Sequence, residues 1–376
     1  PFSVDDGKWG NYFDGSGDWL VSPTDADFTF GTGDYTIELW VYKSNNDTAN
    51  YSVWSTNWGA GGSLLCTFGH PSSGAGKIAL FDHSVNAGAA FITSTNTFAN
   101  ATWHHVAISR SGTTCKLYVN GVEEASGTQS TNLSRDVFVV GAVYTTGTDP
   151  FLGYMSNVRV VKGTAVYTSA FTPSTTPLTA ITNTSLLTCQ SNRFVDNSSN
   201  AHAITVNGDP EVAPFSPFAP STAYDPATKG GSGYFDGTGD YLTVPATTDF
   251  AMGTGDFTSE GWVYFNGLQR TGLFHIDGSY LSSSIGGIAV GSANSPHEWR
   301  VYYGSTGANS TTSILPYQWQ HFAYVRNSGV TKLYVDGVEV FSVADTTNYT
   351  DQYLMFGGYY NTTYLLDGYL SNLRVV

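Results

Sequence analysis

The chain has 376 residues, of which 15% are aromatic, 42 are glycine and only 12% are charged, about half the charged share of an ordinary globular domain. So few Lys, Glu and Arg cannot solvate the outer faces of several helices, so exposed strands and loops rich in Ser, Thr and Asn are expected instead. A net charge of −15, with 15 Lys and Arg scattered singly, argues against nucleic acid, whose phosphates demand clustered cations, and against anionic membrane surfaces.

No apolar run approaches the roughly 20 residues of a membrane helix, and no basic-then-apolar leader follows Pro1. At this length two domains are the natural expectation.

In chain order the first recognisable stretch is Tyr12-Phe13-Asp14-Gly15-Ser16-Gly17-Asp18-Trp19-Leu20. It returns 222 residues on (12 to 234) as Tyr234-Phe235-Asp236-Gly237-Thr238-Gly239-Asp240-Tyr241-Leu242. Aromatic residues around a Gly-rich centre read as strand, tight turn, strand, a hairpin opening each half. Glycine supplies the positive φ such a turn needs. Gly31 to Tyr42 repeats as Gly253 to Tyr264 at the same offset of 222 (31 to 253).

Trp103-His104-His105-Val106-Ala107 then matches Trp319-Gln320-His321-Phe322-Ala323, and Lys116 to Glu123 matches Lys332 to Glu339, both at an offset of 216 (103 to 319, 116 to 332). Asn120-Gly121 and Asp336-Gly337 are two-residue hairpin signals. Gly153 to Val161 returns as Gly368 to Val376 at an offset of 215 (153 to 368). The offset changes only between motifs, so length differences fall in loops and strands stay intact. Short strands, frequent turns and no useful 3.6-residue period predict an all-β fold of two tandem antiparallel sandwiches. The repeated Trp40 and Trp262, and Trp103 and Trp319, are assigned to the core.

Residues 162–229 have no partner in the first repeat. They hold a Pro- and Thr-rich connector (Phe171 to Pro177), a strand near Ser185 to Cys189 and a polar turn at Asp196 to Asn200. A strand near Ala203 to Gly208 and a Pro-rich lead-in at 210–226 follow. Of the three cysteines, a Cys66–Cys115 bridge is conceivable, but Thr331 stands where the second repeat would need the matching Cys. Buried reduced thiols are the expectation.

Several chemistries can be tested on residue patterns. Retaining glycoside hydrolysis needs two carboxylates roughly 5 Å apart, so at alternate positions of one strand. Glu38 and Glu260 are followed at that spacing by Trp40 and Trp262, and no Glu-x-Asp-x-x-Glu pattern occurs. A strand glutamate hydrogen-bonded on a sheet face is the expectation for both, and no enzyme is expected. His104, His105 and His321 have no His or Cys at metal-ligand spacing, and no Gly-x-Ser-x-Gly elbow supplies a nucleophile. Sheet histidines with local hydrogen-bond partners are expected. Gly-x-Gly turns without a following helix do not cradle phosphate.

Phe13-Asp14-Gly15, Thr36 to Val41, Trp103 to Ala107 and Leu117 to Gly121 occur in that order, twice. Together they resemble a laminin-G-like domain of the concanavalin A-like lectin/glucanase superfamily. The resemblance implies two jelly rolls. Such units commonly open with a strand and an Asp-Ser-Ser/Gly-Asn turn, which Leu186-Leu187 and Asp196 to Asn200 fit. The expected domains are therefore 1–178, lacking its opening, and 179–376, lacking its end, in a chain cut from a longer protein.

The connector Arg159 to Tyr167 is similar to tandem modules in structural proteins of marine bacteriophages. That likeness implies a virion or extracellular location, a tail-fibre-like appendage, homo-oligomers, and contact with other virion or surface proteins or host glycans. A secreted bacterial adhesin is the alternative, and a polysaccharide-degrading enzyme a third reading.

Many laminin-G-like domains carry calcium at the sandwich rim, and hard oxygen ligands suit Ca²⁺. Asp14, Asp18 and Asp34 recur as Asp236, Asp240 and Asp256, which makes them the candidate ligands. The competing role is bonding their own turn backbone. Pentraxin-type calcium loops are acidic, whereas Tyr144 to Thr148 and Tyr359 to Thr363 are not. Saccharide binding needs exposed aromatics in loops on a rigid scaffold. The candidates are Trp54, Trp58, Trp299, Tyr302, Tyr303, Tyr359 and Tyr360.

Overall fold

A computed structural model describes residues 8–45, 49, 51–86, 88–218, 230–277, 288–293, 297–304, 306–359 and 364–376. Among these residues it is all-β apart from two short 3-10 turns, Ala26–Phe28 and Thr248–Phe250. The chain divides into two compact units near residue 223.

In the N-terminal unit the front sheet runs Val122–Thr128, Thr114–Val119, Trp103–Ser111, Tyr35–Lys43, Leu152–Lys162, Gly10–Asp14, Glu211–Ala213. Thr184–Thr188 also pairs with Leu152–Lys162. The back sheet runs Thr205–Asn207, Trp19–Val21, Val139–Val140, Ser52–Ser55, Leu64–Phe68, Ile78–Asp82, Ile92–Thr93. In the C-terminal unit the front sheet runs Gly233–Asp236, Asp367–Val375, Phe257–Phe265, Trp319–Asn327, Val330–Val335, Val338–Ala344. Its back sheet runs Leu242–Val244, Tyr353–Phe356, Gly272–Asp277, Ile288–Ser292, Glu298–Tyr303, Thr306–Ser313. All the pairings are antiparallel, and each pair of sheets encloses a core, as the sequence predicts.

The period-2 geometry of a strand explains the layers. Along Tyr35–Lys43, Tyr35, Ile37, Leu39 and Val41 are all fully buried. Thr36, Glu38, Trp40 and Tyr42 alternate with them on the opposite, outer face. Trp40 and Trp262 are thus only half-buried, which corrects their assignment to the core. The tryptophans that do fill the two cores are Trp54 and Trp299, both fully buried.

Two further expectations change. First, residues 184–213 do not open the second unit. Thr188, Leu187 and Leu186 pair with Val158, Arg159 and Val160; Val206 pairs with Leu20; Val212 pairs with Asn11. Three short strands therefore complete the first sandwich, and the boundary lies near residue 223 rather than 178/179. Second, the repeated Gly-rich motif is not a hairpin. Gly10–Asp14 belongs to the front sheet and Trp19–Val21 to the back sheet, so the turn carries the chain from one layer to the other.

The Asn-Gly and Asp-Gly hairpins are as predicted, with φ of 50° and 79° at Asn120 and Gly121 and of 49° and 82° at Asp336 and Gly337. The three cysteines are buried and free.

Each unit also contains a buried arginine on equivalent strands. Arg110 donates to the carbonyls of Gly31, Gly33 and Thr131. Arg326 donates to those of Gly253, Gly255 and Thr347. Each pins the repeated Gly-Thr-Gly-Asp loop to the strand beside it.

Candidate functional site

On strand Glu298–Tyr303 of the C-terminal unit, Trp299 and Val301 enter the core. Arg300 and Tyr302 at the alternate positions therefore face outward. They line a shallow surface cleft with Arg270, Tyr359 and Tyr364. Its floor is glycine. Gly291 pairs with Arg300, and a Cβ added to Gly291 would lie 2.1 Å from the Thr271 carbonyl oxygen.

The Arg270 guanidinium lies 3.8 Å from the Tyr364 ring centroid and donates to the Tyr364 hydroxyl at 2.8 Å. Arg300 donates Nε to the Tyr302 hydroxyl at 2.9 Å, and its other end reaches Asn309. The rings of Tyr302 and Tyr359 are 5.1 Å apart. Burial alone would raise the Tyr302 pKa, but hydrogen bonds with Arg300 and Tyr359 and the arginine charges outweigh it and lower the pKa. Among the described residues neither guanidinium pairs with a carboxylate.

Of the aromatics expected to bind saccharide, the fold brings Tyr302 and Tyr359 together. Trp54 and Trp299 are corrected: both are fully buried, Trp54 stacked 5.5 Å from Phe138, and neither offers a face to a ligand. Tyr303 turns toward Phe341 at 6.1 Å and packs against the core. Trp58, in the other unit, packs edge-on to Phe81 and His83 in a small apolar cluster. Tyr360 lies outside the described residues. Sequence reasoning missed Arg270, Arg300 and Tyr364. Only the Arg300-x-Tyr302 alternation after a core tryptophan carried a signal.

The candidate calcium ligands separate in the same way. Asp14 and Asp18 converge with Asp209, their carboxylate oxygens within 4.8 Å of one another. The two Asp18 oxygens accept the amides of Asp14 at 2.9 Å and Asp209 at 2.8 Å, and Asp14 accepts that of Ser16. These carboxylates thus hold the turn backbone, the competing role read from the sequence, with one amide on each bonded oxygen. Burial, with Asp14 and Asp209 alongside, raises the Asp18 pKa to about 7 despite those two bonds.

Asp236 and Asp240 reproduce the local turn bonds, and among the described residues no third carboxylate joins them. Asp34 and Asp256 lie elsewhere, where they accept the amides of Gly112 and Ser328.

Glu38 sits fully buried on the front sheet of the N-terminal unit. One oxygen receives Arg159, and the other bonds His105 at 3.1 Å and the Tyr167 hydroxyl at 2.8 Å. Burial would raise its pKa, but the His105 bond and the Arg159 charge lower it on balance. This is the hydrogen-bonded sheet-face glutamate and partnered histidine read from the sequence.

Two antiparallel sandwiches of this layout are jelly-roll-like modules. Residues 14–169 and 236–376 match the family described as the concanavalin A-like lectin/glucanases superfamily, of laminin-G type, and the chain belongs to it.

Among solved structures, domains LG4-5 of the mouse laminin alpha1 chain are similar at 13% identity over 97% of this chain and 88% of that one, with a TM-score of 0.32. A putative carbohydrate binding protein from Bacteroides ovatus is similar at 15% identity over 56% and 60%, with a TM-score of 0.40. The Ruminococcus gnavus IT-sialidase CBM40 bound to alpha2,3 sialyllactose is similar at 16% identity over 42% and 91%, with a TM-score of 0.32. At these identities the likeness is one of fold alone. No curated protein sequence matches the chain.

Proposed function

We propose that the chain is a non-catalytic carbohydrate-binding and adhesion module of a virion appendage of tail-fibre type, with its saccharide contact at the Arg270–Tyr364 cleft. The observation that carries the saccharide reading is the pair of guanidiniums among three tyrosines on one outward face. Tyrosine rings stack on the apolar faces of sugars, while guanidinium forks hold carboxylate or sulfate. In a chain of net charge −15, two arginines with no carboxylate partner among the described residues favour an acidic saccharide. The non-catalytic reading is supported by Glu38, whose oxygens are already bonded to Arg159, His105 and Tyr167.

The test is a titration of the protein with sialylated, uronic-acid and neutral oligosaccharides. Acidic ligands should bind, and Arg270→Ala and Arg300→Ala should each weaken them about tenfold or more. Equal binding of neutral ligands, or indifference to both substitutions, overturns the acidic-saccharide reading. Immunogold labelling of purified virions tests the appendage assignment, which unlabelled particles would overturn.

A further inference from the structure

The two units differ most at one place. In the N-terminal unit, residues 163–218 form a strap across the outer face of the front sheet and then add a strand to three edges. Tyr167 donates to Glu38 at 2.8 Å and stacks on Phe171, with centroids 3.6 Å apart. Phe171 meets His105 edge-on at 5.6 Å, and Phe218 meets Trp40 at 5.6 Å. The Leu178 amide donates to Asn157, and Arg159 donates to the Thr179 carbonyl, both at 2.8 Å. The backbone passes so close that a Cβ on Gly121 would lie 1.8 Å from the Phe171 carbonyl oxygen.

In the C-terminal unit, Glu260, Trp262, His321, Asn372, Leu373 and Arg374 line an open groove. By the repeat offsets these six correspond one for one to Glu38, Trp40, His105, Asn157, Val158 and Arg159, which lie under the strap or beside its strand. Gly337, the counterpart of Gly121, has nothing within 4 Å of an added Cβ.

The edges agree. Among the described residues, Gly233–Asp236 and Leu242–Val244 end their sheets, whereas Gly10–Asp14 and Trp19–Val21 are covered by Glu211–Ala213 and Thr205–Asn207. Leu20 is 1% exposed and its counterpart Leu242 57%. The side chain of Arg159 is 7% exposed and that of Arg374 67%.

We propose that this groove and these edges are the seat of a second polypeptide strap with the chemistry of residues 163–213. A tyrosine hydroxyl reaches Glu260 and a phenylalanine four positions on covers His321. A Leu-Leu strand pairs with Leu373–Val375, and a Thr-Val-Asn strand pairs with Tyr241–Thr243. Main-chain pairing on an open sheet edge supplies affinity, and alternate side-chain pockets supply specificity. The half-exposed Trp262 beside charged groups also suits a sugar. The one-to-one match to a seat that polypeptide fills in the same chain favours polypeptide.

The test uses the 376-residue protein and a fluorescent peptide of residues 162–190. Saturable binding of one peptide per chain is expected. It should weaken at least about tenfold when the peptide carries Tyr167→Ala and Phe171→Ala, with slowed amide exchange confined to residues 368–375 and their neighbours. A second protein, with a copy of residues 162–218 appended after Val376, places the strap at high effective concentration and should show the same protection. Appended residues that remain freely digestible, with no protection of 368–375, overturn the proposal. So does an oligosaccharide that protects the groove and is not displaced by the peptide.

Discussion

Arg110 and Arg326 sit 216 positions apart (110 to 326) and make the same three carbonyl contacts, each to the two glycines of its unit's Gly-Thr-Gly loop and to one further loop threonine. Both are almost fully buried. Replacing either with methionine keeps most of the volume but takes a donor from three buried carbonyls, of which only that of Gly31 or Gly253 keeps a loop amide, from Leu133 or Tyr349. Arg326→Met should therefore destabilise its unit by about 3 kcal/mol. Urea denaturation followed by fluorescence reads the loss, and a change under about 0.5 kcal/mol would show the contacts to be dispensable.

Gly121 and Gly337 separate backbone strain from crowding. Both have φ near +80°, so alanine strains either by about 1 kcal/mol. Only Gly121 also meets the strap, at the Phe171 carbonyl. Gly121→Ala should destabilise its unit by roughly twice as much as Gly337→Ala does, or more, and should make residues 163–178 susceptible to protease. Equal losses in thermal denaturation would contradict the close approach.

Asp18 gives the N-terminal unit a distinctive pH response. Its pKa rises from 3.8 to about 7 on folding, chiefly through burial, so between these values the folded state binds more protons than the unfolded one. Stability from this group is full below about pH 4 and is lost as pH rises to about 7. The loss should be on the order of 1–3 kcal/mol, and Asp18→Asn should flatten the slope relative to the parent protein. Denaturation midpoints at pH 4, 5.5, 7 and 8 decide the matter. Calcium added at pH 8 should leave the midpoint unchanged if Asp18 serves only its turn amides, and a raised midpoint would show a cation at Asp14, Asp18 and Asp209.

The thiols should be inert. Burial pushes the Cys115 pKa up to about 12 and raises those of Cys66 and Cys189 further from the reactive range. Ellman's reagent should find almost no thiol in the folded protein and three per chain after denaturation. Fewer than three under denaturing, non-reducing conditions would reveal a bridge.

The strands were legible because alternation and repetition were both present. Tyr35 to Tyr42 and its copy announce their inward residues by a period of two. The hairpins at Asn120 and Asp336 follow from turn chemistry alone. What was not legible required knowledge of partners. Whether Thr184–Thr188 joins the unit before it or after it depends on which edge it pairs with, and an unrepeated stretch contains no internal sign of that.

Trp54 and Trp299 look like loop aromatics by their variable surroundings, but inward strand positions bury them. Arg270 and Arg300 bear no motif. They come together only where a loop and a strand meet over a glycine floor.

The turn from Asp14 to Trp19 leaves one sheet and enters the other, clamped by the Asp14 amide on Asp18. Both its ends are held in register, by Leu152 opposite Asp14 and by Asn207 opposite Trp19. An inserted residue would have to be absorbed by two ladders at once, turning either Phe13 or Leu20 out of the core. The two repeats keep one offset from Tyr12 through Tyr42 and diverge in length only after it. The interlayer turn thus behaves as a fixed spacer, and the length differences between the repeats fall in loops further along the chain.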